Sequence, residues 1–93
     1  MRVKRTTLNF PNRSRVFEPT RHAVRFWGHD GAMEWSFFVT EDALERLQPN
    51  KRHNEESLLS AFDDNRSAIY AAAIRAYKRE RKGSYELGTA DFR

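Results

Sequence analysis

The chain has 93 residues, of which 39% are hydrophobic, 13% aromatic and 32% charged, with a net charge of +4. That balance excludes a disordered chain, which lacks apolar surface to bury, and the short apolar runs exclude a bilayer-spanning helix. Zero cysteines exclude disulfides, thiolate nucleophiles and thiolate metal sites together.

One domain over residues 1–93 is expected at this length. No apolar stretch follows Met1, Arg2, Val3, Lys4 and Arg5, so no secretory signal peptide is expected and the cytoplasm is the expected compartment. Charge is segregated along the chain. Residues 1–29 carry seven Lys or Arg against Glu18; residues 30–64 carry three basic against nine acidic residues; residues 65–93 carry seven basic against three acidic. This basic, acidic, basic order suits self-complementary association as well as a polyanion partner.

Thr6 to Phe10 alternates polar and apolar residues before Pro11, which predicts a short strand with Leu8 and Phe10 facing in. Arg15 to Glu18 reads as a brief edge segment stopped by Pro19. The strongest local signal follows: two aromatic and β-branched runs flank Asp30-Gly31, which predicts a β-hairpin over 21–39. With Asp30 and Gly31 as the central turn residues, Phe26 pairs with Trp35, Val24 with Phe37 and His22 with Val39, all on one face. The other face collects Arg25, Trp27 and Ala23 with Ser36, Glu34 and Phe38.

Thr40, Glu41 and Asp42 form a helix start, and Ala43, Leu44 and Leu47 an apolar stripe, predicting a short helix over 41–48. Leu58, Leu59, Phe62, Ile69, Tyr70, Ala73, Ile74 and Tyr77 then recur at spacings of three and four. They predict a long amphipathic helix over about 55–81, with Gly83 as a left-handed cap; Asp63, Asp64 and Asn65 offer a kink or split, but the continuous stripe favours one piece. Ser84 to Leu87 reads as a last strand, and Phe92 as a residue able to dock back. The fold class expected is α+β, with a mainly antiparallel sheet.

Phe10-Pro11-Asn12, Val24-Arg25-Phe26-Trp27-Gly28, Val39 ahead of Ala43-Leu44, Ala61-Phe62-Asp63 with Asn65-Arg66 and Ile69, and Asp91-Phe92 together resemble DUF1488, a family of short bacterial proteins of unknown function. The resemblance covers nearly the whole chain and implies an α+β fold and a bacterial cytoplasmic origin. It brings no activity, cofactor, partner or catalytic residue with it.

Little in the chain announces chemistry. His22, His29 and His53 are scattered over a strand, a turn and a linker with no metal-ligand spacing, so no metal site is expected. Asp30 beside His29 is explained by turn geometry, and adjacent Asp63 and Asp64 point about 100° apart on a helix, as cap or solvated residues do. No Gly-rich phosphate loop or nucleophile elbow is present, and neither enzymatic activity nor a cofactor is expected.

Two surfaces are candidates. Arg25, Trp27 and Phe38 form an aromatic and basic patch on the second hairpin face, suited to a protein partner or, by stacking, to nucleobases. Either the patch is exposed, or the short helix or N-terminal segment covers it. Arg75, Lys78, Arg79, Arg81 and Lys82 gather at the end of the long helix and are candidate phosphate contacts if Arg2, Lys4 and Arg5 join them; a helix C-terminus also favours cations for its own sake. The expected function is a small non-enzymatic binding or regulatory module acting through protein association, as a homodimer or with another protein and without a membrane. The alternative is a nucleic-acid-binding protein using the basic ends.

Overall fold

The alternation of the hairpin sequence builds the sheet, and the helices cover one side of it. A computed structural model describes residues 8–49 and 54–93. Strands β1 (Arg15–Glu18), β2 (Ala23–Asp30), β3 (Met33–Thr40) and β4 (Ser84–Leu87) form one sheet in the order β1-β2-β3-β4. The first three are antiparallel; β4 runs parallel to β3. That connection is made by helices α1 (Glu41–Leu47), α2 (Glu55–Asp64) and α3 (Arg66–Arg79), as a parallel pairing requires a crossover.

One face of the sheet forms the core. Phe26, Phe37 and Tyr85 lie side by side across β2, β3 and β4, and Val24, Val39 and Leu87 form the next row. Ala43 and Leu44 of α1, Leu58, Ala61 and Phe62 of α2, and Ile69, Ala72, Ala73, Ala76 and Tyr77 of α3 close over them in one cluster. The Phe26 ring lies 5.4 Å from Phe37 and 5.2 Å from Phe62. Each such fully buried side chain contributes about 1.5–3 kcal/mol of transfer free energy. Leu8 is buried, and Phe10 packs on the core with its ring parallel to Tyr70 at 4.0 Å. Phe92 docks back against the same cluster.

Several expectations change. The hairpin register is shifted by two residues: Phe26 pairs with Phe37, Val24 with Val39, and Gly28 with Trp35. The two-residue turn is Gly31-Ala32, with Gly31 at φ +63 and Ala32 outside the positive-φ region, the pattern of a type II′ turn with glycine first. Asp30 stays in β2, where its Oδ2 accepts a hydrogen bond from the Tyr77 hydroxyl at 2.5 Å. A tertiary contact and the stacking of Phe26 on Phe37 therefore override the local Asp-Gly preference. Because the shift is even, no side chain changes face. His22 does not enter the strand; it adopts the left-handed conformation (φ 51, ψ 50) after the 3₁₀ turn Pro19–Arg21, and its carbonyl accepts from the Glu41 amide.

Of the first expected strand, Thr6 and Thr7 lie outside the described residues, and among the described ones Asn9 forms a single bridge with His29. The long helix is two. Asn65 (φ −123, ψ 25) ends α2 and precedes α3, and its Nδ2 donates to the Ala61 carbonyl at 2.8 Å and to Gln48 Oε1 at 3.0 Å. A short polar side chain bonding the backbone behind it competes with the helix ladder. The break lets α2 pack on β1 and β2 while α3 packs on β4. Gly83 is not a left-handed cap: α3 ends four residues earlier, where Glu80 turns extended and the Arg81 guanidinium donates to the Tyr77 carbonyl. The short helix is capped as expected, Thr40 Oγ1 accepting from the Ala43 amide at 3.1 Å.

Candidate functional site

The second sheet face follows from the same alternation. Val16 of β1, Arg25 of β2, Phe38 of β3 and Glu86 of β4 form one cross-strand row, and Trp27, Ser36 and Ser84 the next. All three helices put their buried residues into the core cluster on the opposite face, whereas Ala23 and Phe38 lie outside that cluster. Among the described residues, no helix lies over the second face.

The side chains of this face cover one another. The Arg21 guanidinium stacks on the Phe38 ring at 3.7 Å, and Arg25 lies 5.1 Å from the Trp27 ring and 5.6 Å from the Phe38 ring. Arg25 is positioned by hydrogen bonds from Nε and Nη2 to Ser36 Oγ at 3.2 and 2.9 Å. Phe38 is in consequence only 6% exposed, Trp27 is half-buried, and Val16 is 45% exposed. Arg25, Trp27 and Phe38 are thus brought together as expected, but the aromatic surface is roofed by guanidinium groups. Nearer the hairpin tip, His29 Nε2 stands 3.1 Å from Glu34 Oε2.

The basic end of the long helix is arranged differently. Arg75 donates to the Asp91 carbonyl at 2.9 Å, and Arg79 lies 3.4 Å from the Asp91 carboxylate, so both fasten the C-terminal turn to α3. Arg81 lies over the Tyr77 ring at 3.9 Å, Lys82 is 3.9 Å from Glu80, and Lys78 is exposed. Arg2, Lys4 and Arg5 lie outside the described residues.

Sequence reasoning missed a third feature, an open groove of about 570 Å³ between β1 and the α2–α3 junction, lined by Arg13, Ser14, Arg15, Val16, Asp63 and Arg66. Arg15 binds Asp63 with both Nε (3.0 Å) and Nη2 (2.7 Å). Arg66 donates to Asp63 Oδ1 at 2.8 Å, to the Arg13 carbonyl at 2.9 Å and to the Tyr70 hydroxyl at 2.6 Å. The hydrogen bond from Arg15, with that from Arg66, holds the Asp63 carboxyl below its ordinary range. Arg15 and Asp63 are 48 positions apart, so no local pattern could have shown the pairing. At the hairpin tip the hydrogen bond to Asp30 and then burial push the Tyr77 hydroxyl upward. Among the described residues, no three His, Asp or Glu side chains gather as metal ligands, and no helix is long and apolar enough to cross a membrane.

By class, this is a two-layer α+β protein whose helices cover one sheet face and leave the other to its own side chains. Residues 8–87 match the family described as protein of unknown function (DUF1488), and the chain belongs to that family. A solved crystal structure of a DUF1488-family protein of unknown function from Shewanella loihica PV-4 has a similar fold, with a TM-score of 0.79 at 19% identity over 91% of this chain and 96% of that one. No curated protein matches the chain.

Proposed function

We propose that this protein is a non-enzymatic cytoplasmic binding module that works through protein association, pairing with a second copy of itself through the helix-free sheet face. The observation that carries this reading is the row Val16, Arg25, Phe38, Glu86, which has an exposed apolar residue at the edge, a basic residue inside it and an acidic one at the far end. Two copies related by a two-fold axis present the same patch to each other, so opposite charges at different points of one row are self-complementary. Arg25 of one copy then meets Glu86 of the other, about Phe38, which lies between them in the row. The non-enzymatic part is supported by the employment of two carboxylates that the sequence offered as acid–base candidates: Asp30 accepts from Tyr77, and Asp63 ties Arg15 and Arg66.

Size-exclusion chromatography with light scattering is the test. A dimer is expected at high micromolar concentration, with Glu86→Lys shifting it to monomer and the double exchange Arg25→Glu with Glu86→Lys restoring it. A monomeric wild-type chain at that concentration overturns the reading. If such a monomer bound oligonucleotides with strong salt dependence, the nucleic-acid alternative would take its place.

A further inference from the structure

We infer that the groove between β1 and the α2–α3 junction is a phosphate-binding site, suited to a phosphomonoester or pyrophosphate group. Three arginines, Arg13, Arg15 and Arg66, line the groove with one carboxylate, that of Asp63, a formal excess of two positive charges among its lining residues. A phosphomonoester carries about −1.5 to −2 charges near neutral pH and matches that excess, whereas a single carboxylate matches half of it.

The donors are also organised in advance. Arg66 is anchored by three acceptors and lies 4.9 Å from the Phe62 ring, and its side chain is only 14% exposed. Arg15 is oriented by its two bonds to Asp63. These contacts engage Nε and Nη2 of Arg15 and both Nη atoms of Arg66; among the described residues, Nη1 of Arg15 and Nε of Arg66 carry no such bond. Among the described residues Arg13 contributes only its carbonyl to the knot, so the side chain of this exposed, groove-lining residue is not committed to holding the structure. Ser14, whose amide donates to Asn12 Oδ1 at 3.0 Å, lines the same rim. Guanidinium groups held in this way lose little entropy when their remaining N–H groups meet an oxyanion with charge-assisted hydrogen bonds.

The test is a backbone-amide NMR titration of the full chain with pyrophosphate, then a nucleoside triphosphate, then a short oligonucleotide, at low and high salt. Saturable shifts at Arg13, Ser14, Arg15 and Arg66 are expected with pyrophosphate at millimolar concentration or below, weakening with salt. Arg13→Ala should weaken them roughly tenfold while leaving the rest of the spectrum in place. Lys78→Ala, at an exposed cation elsewhere, should change nothing. Absence of saturable shifts at the groove, equal binding by Arg13→Ala, or a response to the oligonucleotide alone would each overturn the inference. The monomer–dimer measurement above is independent of this result.

Discussion

At the scale of single residues, Gly28 shows how this core constrains a position that looks ordinary in the sequence. It sits inside β2 opposite Trp35, and a Cβ there would stand 2.9 Å from a Phe37 ring carbon and 3.0 Å from atoms of Leu8 and Phe10. The glycine is required by the close approach of three apolar side chains. Gly28→Ala is therefore expected to destabilise the protein by about 1–3 kcal/mol through overpacking, read as a lower urea midpoint with an unchanged slope. Nothing in the run Phe26-Trp27-Gly28-His29 discloses this, because Leu8 and Phe10 arrive from a segment distant in the chain that, among the described residues, bridges to the sheet at Asn9. By contrast, the inward placement of Val24, Phe26, Trp35 and Phe37 was legible from alternation, and it survived a register error because the shift was even.

At the scale of elements, the helix break at Asn65 is the informative feature. The apolar stripe from Leu58 to Tyr77 is continuous in sequence because both helices pack on the same core, so periodicity alone reads one helix where there are two. The side-chain bonds from Asn65 to Ala61 and Gln48 hold the break, and the second partner comes from the segment after α1. Asn65→Ala removes both bonds while favouring helix locally. We expect a loss of about 1 kcal/mol in unfolding free energy without loss of far-ultraviolet helical signal. A gain in stability would show that the side chain is not what holds the break. The hairpin turn belongs to the same scale: Asp30-Gly31 signalled a tight turn correctly, but the Tyr77 contact keeps Asp30 in the strand and moves the turn by one residue.

At the scale of the whole molecule, the Arg15–Asp63–Arg66 knot joins the edge strand to the helix layer across the groove. Asp63 has its carboxyl pulled below the ordinary value of 3.8, so its unfolded form binds protons more readily than its folded form. The stabilisation is thus present above about pH 4 and lost as pH falls through the folded value. Since Asp63 is well exposed, its worth is about 1 kcal/mol. Asp63→Asn is expected to lower stability by that amount at neutral pH and to flatten the acid limb of a stability–pH profile measured by urea unfolding. An unchanged acid limb would remove Asp63 from the account.

The sequence by itself determined what depends on neighbours along the chain: the α+β class, two faces for the hairpin, the Thr40 cap, a final strand, and the clustering of Arg25, Trp27 and Phe38. Period-two and period-3.6 patterns encode these directly. Only the tertiary structure decided that guanidinium groups roof Phe38, that Asp91 engages Arg75 and Arg79, and that Arg15 and Arg66 converge on Asp63. Apart from Arg66–Asp63, three residues apart, these contacts join segments distant in the chain, and their geometry exists only once the tertiary fold has formed.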